Sequence, residues 1–136
     1  RGQTDVSDEL CKTDADGLFR FLQRRGAVDG DAGELPDLLC EGTQLIATEI
    51  VKTPVPGVLA YAVQLGDVVQ KGDLIAEVID PAADDPSKAR TPIHAGTDGL
   101  ILSRQADKLV RPGQGIAKVV GTEPLAERQA GSLMED

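Results

Sequence analysis

His94 is the only histidine among the 136 residues. Imidazole is the usual general base and a leading zinc ligand. A single ring therefore leaves no way to build a two-histidine metal site, or a serine–histidine relay with a spare base, from this chain. Next to Pro92-Ile93, His94 reads as a turn residue. Asp67 and Asp73 flank Gly66 and Gly72 and could pass for a carboxylate pair doing acid–base work. Their place at strand corners instead makes them turn caps, because an aspartate side chain bonds nearby backbone amides. Cys11 and Cys40 stand 29 positions apart in unrelated segments, a spacing of neither a disulfide framework nor a metal knuckle. The glycines never fall in P-loop or dinucleotide-binding order, so phosphate cradling has no support. Lys88 lies in a polar connection rich in Asp and Pro, where a solvated loop lysine is the ordinary outcome. The expected set of catalytic, cofactor-binding and metal-binding residues is therefore empty, with Lys88 considered for covalent attachment and disfavoured.

The elements that carry these residues are written twice. The first copy runs Thr53-Pro54-Val55-Pro56-Gly57-Val58-Leu59 and then Leu65-Gly66-Asp67-Val68-Val69-Gln70-Lys71-Gly72-Asp73-Leu74-Ile75-Ala76-Glu77-Val78. The second runs Ile93-His94-Ala95-Gly96-Thr97-Asp98-Gly99-Leu100-Ile101 and then Leu109-Val110-Arg111-Pro112-Gly113-Gln114-Gly115-Ile116-Ala117-Lys118-Val119. Gly57 and Gly99 are 42 positions apart and Gly72 and Gly113 are 41 apart, so one insertion or deletion separates the copies. Each copy predicts a strand, a turn, a Val-x-x-Gly corner and another strand. Glycine suits the corner because a tight reversal asks for positive φ. The runs Val58–Val63, Leu74–Ile79, Leu100–Leu102 and Ile116–Val120 are short and rich in β-branched residues. Half of such a unit cannot cover its own apolar face, so the two copies are expected to fold on each other. The predicted fold is mainly β: a pseudo-two-fold flattened barrel or sandwich with one N-terminal helix.

Phe19, Phe21 and Tyr61 are the only aromatic residues, so Val, Leu, Ile and Ala must build the core. A formal net charge of −9, from 23 acidic and 14 basic residues, argues against a nucleic-acid surface. The acids gather in loops such as Asp29–Asp37 and Asp80–Asp85, where they favour solubility. The apolar runs fall far short of the ~20 residues that span a membrane, and no signal peptide opens the chain. A cytoplasmic setting is expected.

In chain order, Ser7 caps a predicted helix, Asp8 and Glu9 suit its positive end, and Arg24-Arg25-Gly26 close it. Cys11, Ala15, Leu18, Phe19 and Leu22 recur at helical spacing as one stripe, expected to pack on the same chain, with a partner face as the other possibility. Gly17 weakens that helix by about 1 kcal/mol relative to Ala. The expected organisation is a helix and connector over 1–42, a duplicated β domain over 43–121 and a tail over 122–136. Thr43–Lys52 would lead into the sheet, and Asp80–Arg90 would be an exposed hairpin loop. With no initiator Met, the chain reads as a piece of something longer.

Two resemblances follow from these motifs. The doubled Gly-Val-Leu and Gly-Asp-x-Val-x-x-Gly-Asp-x-Leu pattern resembles the biotinyl and lipoyl carrier fold, which implies a cofactor-bearing lysine between the copies; Lys88 occupies that connection, but outside the Met-Lys-Met or Asp-Lys-Ala setting of the carriers. Over the whole chain, Asp14–Leu22, Gly26-Ala27-Val28-Asp29-Gly30, Pro56–Leu59, Gly66–Asp73, Ile79-Asp80-Pro81, Asp98–Ile101 and Val110–Gly113 resemble the C-terminal part of the succinylglutamate desuccinylase/aspartoacylase family, zinc deacylases related to metallocarboxypeptidases. That resemblance implies a non-catalytic β domain beside an upstream catalytic domain. The upstream domain would hold zinc through a His-x-x-Glu pair and a distant His, with a glutamate as general base, and would hydrolyse a small N-acyl amino acid. None of those catalytic residues maps onto this chain.

Overall fold

The computed structural model describes residues 6–38 and 41–126. Cys40, the opening 1–5 and the tail segment 127–136 lie outside the described residues. The chain divides into two compact units, Arg1–Leu38 and Leu39–Asp136.

The first unit is built on one helix, α1 (Asp8–Arg24). The Ser7 hydroxyl accepts from the Leu10 amide at 3.2 Å, and Asp8 and Glu9 sit in the first turn, where the helix dipole favours negative charge. At the far end Gly26 adopts φ 72°, its amide bonds Gln23 O at 2.9 Å, and the Ala27 amide bonds Leu22 O at 3.0 Å. That pair of bonds is the Schellman closure, which glycine completes without a steric cost. The expectation that the apolar stripe would be buried is not met: no residue of α1 is buried, and Leu18, Phe19, Phe21 and Leu22 are all exposed. Among the described residues its own unit offers only Val6, Ser7 and the connector 25–38, too little chain to cover a four-turn face.

Among its described residues the second unit holds eight strands: β1 (Thr48–Lys52), β2 (Gly57–Tyr61), β3 (Val68–Val69), β4 (Leu74–Ile79), β5 (Arg90–His94), β6 (Gly99–Arg104), β7 (Leu109–Val110) and β8 (Gly115–Val120). They form two antiparallel four-stranded sheets, ordered β1-β8-β6-β3 and β5-β4-β2-β7. This is a flattened β-sandwich rather than a closed barrel. Replacing each strand by its counterpart in the other copy converts one sheet order into the other, so the sequence duplication is a structural two-fold.

The hydrogen bonds obey the same symmetry. The Gly72 amide bonds Ala95 O at 2.8 Å and the Ala95 amide bonds Asp73 O at 2.9 Å. In the other half, the Gly113 amide bonds Thr53 O at 2.7 Å and the Thr53 amide bonds Gln114 O at 3.1 Å. The core is likewise paired, with Val51 and Ile93, Leu59 and Ile101, Val69 and Val110, Ile75 and Ile116, and Val78 and Val119 all buried at equivalent places. Each sheet takes two strands from each half, which is why neither half is a core alone. The Val-x-x-Gly corners turn at Gly72 (φ 95°) and Gly113 (φ 80°), in the region a Cβ disfavours.

Candidate functional site

Three local arrangements carry side chains with chemical potential in the β unit. The first is the connection between β4 and β5. Asp85 caps a one-turn 3-10 helix, Pro86–Lys88, its carboxylate accepting from the Ser87 amide at 3.0 Å and the Ser87 hydroxyl at 2.7 Å. Those bonds, the hydroxyl's first, hold the Asp85 carboxyl below its ordinary range. Lys88 ends this turn, its side chain 83% exposed and 3.6 Å from Asp85. At the base of the hairpin Arg90 pairs with Glu77 at 2.5 Å. Lys88 is thus a solvated lysine at the point where the two copies join.

The second is the corner between β3 and β4. The Asp73 carboxylate accepts from the Gln70 amide at 2.8 Å, and Asp67 accepts from the Gln64 amide at 2.7 Å. Both aspartates cap turns, as their spacing predicts. In the second copy Gln114 Oε1 takes the equivalent role, accepting from the Arg111 amide at 3.0 Å. His94 is exposed, its Nδ1 3.0 Å from Gly72 O, which puts a proton on Nδ1 and ties the ring to the corner. Nothing brings His94, Asp67, Asp73 and Lys88 together as one site. Zinc, implied by the family resemblance, finds no donor set: among the described residues no three His, Cys, Asp or Glu side chains converge. No metal step is assigned to these residues.

The third arrangement was not foreseen from sequence, where Tyr61 counted only as a scarce aromatic. The Tyr61 hydroxyl donates to Ile116 O at 2.5 Å and accepts from the Gln105 amide at 2.9 Å, stitching β2 to the ends of β6 and β8. Arg104 lies 4.9 Å and Lys108 4.7 Å from the ring centroid, both within cation–π range. Arg104 also donates to Val63 O at 2.5 Å. Burial pushes the Tyr61 phenol above its ordinary 10.0, against the opposing pull of the Gln105 bond and the Arg104 charge. The sequence signal was a lone tyrosine in an aliphatic core, a residue type that needs a partner for its hydroxyl when half-buried.

No family model matches the sequence, and no curated protein is significantly similar to it. Solved structures do match. The ectoine utilization protein EutE (DoeB) from Ruegeria pomeroyi, in a product-bound structure, is 24% identical with a TM-score of 0.67, covering 86% of this chain and 35% of its own. A succinylglutamate desuccinylase/aspartoacylase from Rhodobacter sphaeroides is 18% identical with a TM-score of 0.64, covering 84% of this chain and 36% of its own. An aspartoacylase family protein from Mesorhizobium loti is 22% identical with a TM-score of 0.57, covering 82% and 38%. The chain thus has the fold of one part of these proteins and spans little more than a third of their length. Among the described residues, no helix is long and apolar enough to cross a membrane.

Proposed function

We propose that this chain is the non-catalytic β portion of a zinc-dependent deacylase of the succinylglutamate desuccinylase/aspartoacylase kind, and that it narrows the substrate channel or builds oligomer contacts beside an upstream catalytic domain. The observation that carries this reading is the extent of the structural match. The β unit, 98 of the 136 residues, is 72% of the chain, so a match over 86% must take in part of the α1 unit. A carrier-type β fold alone does not account for that extra stretch. The substrate on this reading is a small N-acyl amino acid, and a rigid wall would act by positioning the acyl group.

The test compares the longer polypeptide containing this sequence with residues 1–136 alone, each assayed with zinc and N-acyl amino acids. Zinc-dependent amide hydrolysis is expected only from the longer polypeptide, and hydrolysis by 1–136 alone overturns the reading. A carrier role is the second reading, favoured by the exposure of Lys88 at the junction of the two halves. Intact-mass measurement separates the two: a biotin or lipoate adduct on Lys88 supports the carrier, and an unmodified mass the deacylase portion.

A further inference from the structure

Among the described residues the two sheets end in four edge strands, β1 and β3 in one and β5 and β7 in the other. An open edge offers backbone donors and acceptors to an incoming strand, and its protection is legible in its length and sequence. β3 and β7 are two residues each, too short to seat another strand. β1 and β5 are five residues each and equivalent under the internal two-fold, Val51 standing where Ile93 stands in the other half.

The outward backbone groups of these two strands differ. The Thr53 amide bonds Gln114 O on the β8 side, and amides alternate along a strand, so Val51 and Glu49 also turn to β8 while Thr48, Ile50 and Lys52 turn outward. In the other half the Ala95 amide bonds Asp73 O, which makes Arg90, Pro92 and His94 the outward positions of β5. Proline has no amide hydrogen, so Pro92 blunts that edge at its middle residue. Its equivalent in β1 is Ile50, which keeps its donor. No bulge bends β1 either: the register shift beside Lys52 takes its extra residue from β8. The Leu125 amide bonds Ile46 O, in the 3-10 turn Leu45–Ala47 that precedes the strand, and among the described residues β1 itself pairs only with β8.

We propose that β1 is the edge through which two copies of this chain join, antiparallel about a two-fold axis at Ile50, so that two four-stranded sheets become one of eight strands. The spacing favours a second copy as the occupant. Outward positions 48, 50 and 52 are symmetric about 50, so Ile50 faces Ile50, Thr48 faces Lys52 of the other copy, and each outward amide meets an outward carbonyl. The two Lys52 residues then lie at opposite ends of the seam, about 13 Å apart at ~3.4 Å per residue, beyond the Debye length of about 8 Å at physiological salt. The inference rests on the β unit alone. It gives the oligomer contact of the deacylase reading a place, and its failure would leave the hydrolysis test of that reading unaffected.

Sedimentation velocity of the 136-residue chain over a concentration series would read self-association, and amide hydrogen exchange would read Ile50. A monomer–dimer equilibrium is expected, with exchange at the Ile50 amide slowing as the dimer fills. Ile50→Pro copies Pro92 and removes one donor from each copy, so dimer affinity is expected to fall about tenfold or more with the circular dichroism unchanged. Ile50→Lys sets two like charges face to face on the axis and weakens the dimer in the same way. Ile50 lies outside the buried core, so this variant keeps the fold even if Ile50→Pro does not. A monomer at every concentration, a dimer indifferent to Ile50→Lys, or a dimer that forms only once 127–136 are removed would each overturn the assignment.

Discussion

Gly57 and Gly99 occupy equivalent points where each half starts its first strand against the end of another. A Cβ on Gly57 would stand 2.5 Å from Ile79 O, and one on Gly99 would run into Val120 O. Both obstacles are backbone in a sheet, which cannot swing aside as a flexible side chain can. Gly57→Ala and Gly99→Ala are therefore expected to cost about 2 kcal/mol or more each, read from urea denaturation. At Tyr61 the hydroxyl is a fastener between strands, and Tyr61→Phe removes it while the Gln105 amide keeps its 2.8 Å bond to Ile116 O. A loss of about 0.5–1.5 kcal/mol is expected. The same hydroxyl carries a pH signature. Its folded value lies above the ordinary 10.0, so its contribution is complete below pH 10 and is lost as pH rises through the folded value. As Tyr61 is the only tyrosine, phenolate absorbance reports that titration directly, and a midpoint at or below 10.0 would contradict the packing described here.

At the scale of elements, α1 and the strands differ in what stabilises them. The helix has a side-chain cap, acids at its positive end and a Schellman glycine, but buries none of its residues within the described chain. Its stability rests on local interactions, and these make Gly17 its weakest point. A Cβ at Gly17 meets nothing within 4 Å, so Gly17→Ala is expected to strengthen α1 by about 1 kcal/mol, seen as increased helical circular dichroism without change in the β signal. The opposite responses of Gly17 and Gly57 to the same substitution separate a glycine that is only tolerated from one that close backbone approach requires.

At the scale of the molecule, the two-fold makes a quantitative demand. Ile75 and Ile116 are fully buried at equivalent places in the two walls. Ile75→Ala and Ile116→Ala are each expected to cost about 2–5 kcal/mol, and by similar amounts, because each opens a cavity against the same kind of neighbours. A large disparity in denaturation midpoint would mean that one half carries the fold and the other merely leans on it.

Much of this architecture was legible along the chain because its signals are local and repeated. The spacing of Gly57 and Gly99, the corners at Gly72 and Gly113, the aspartate caps at Asp67 and Asp73 and the helix stop at Gly26 are each dictated by φ or by a bond a few residues away. The exposure of Leu18 and Phe19 could not be read the same way: periodicity says that a helix has an apolar face and is silent on what covers it. The fastening of Tyr61 to Gln105 and Ile116, and the placing of Arg104 over the Tyr61 ring, depend on strand order and on pairing between segments far apart in sequence. Short-range chemistry sufficed for the turns, the strands and their duplication; long-range pairing alone could decide which charges share a surface, because that is a property of the assembled sheets and of no single segment.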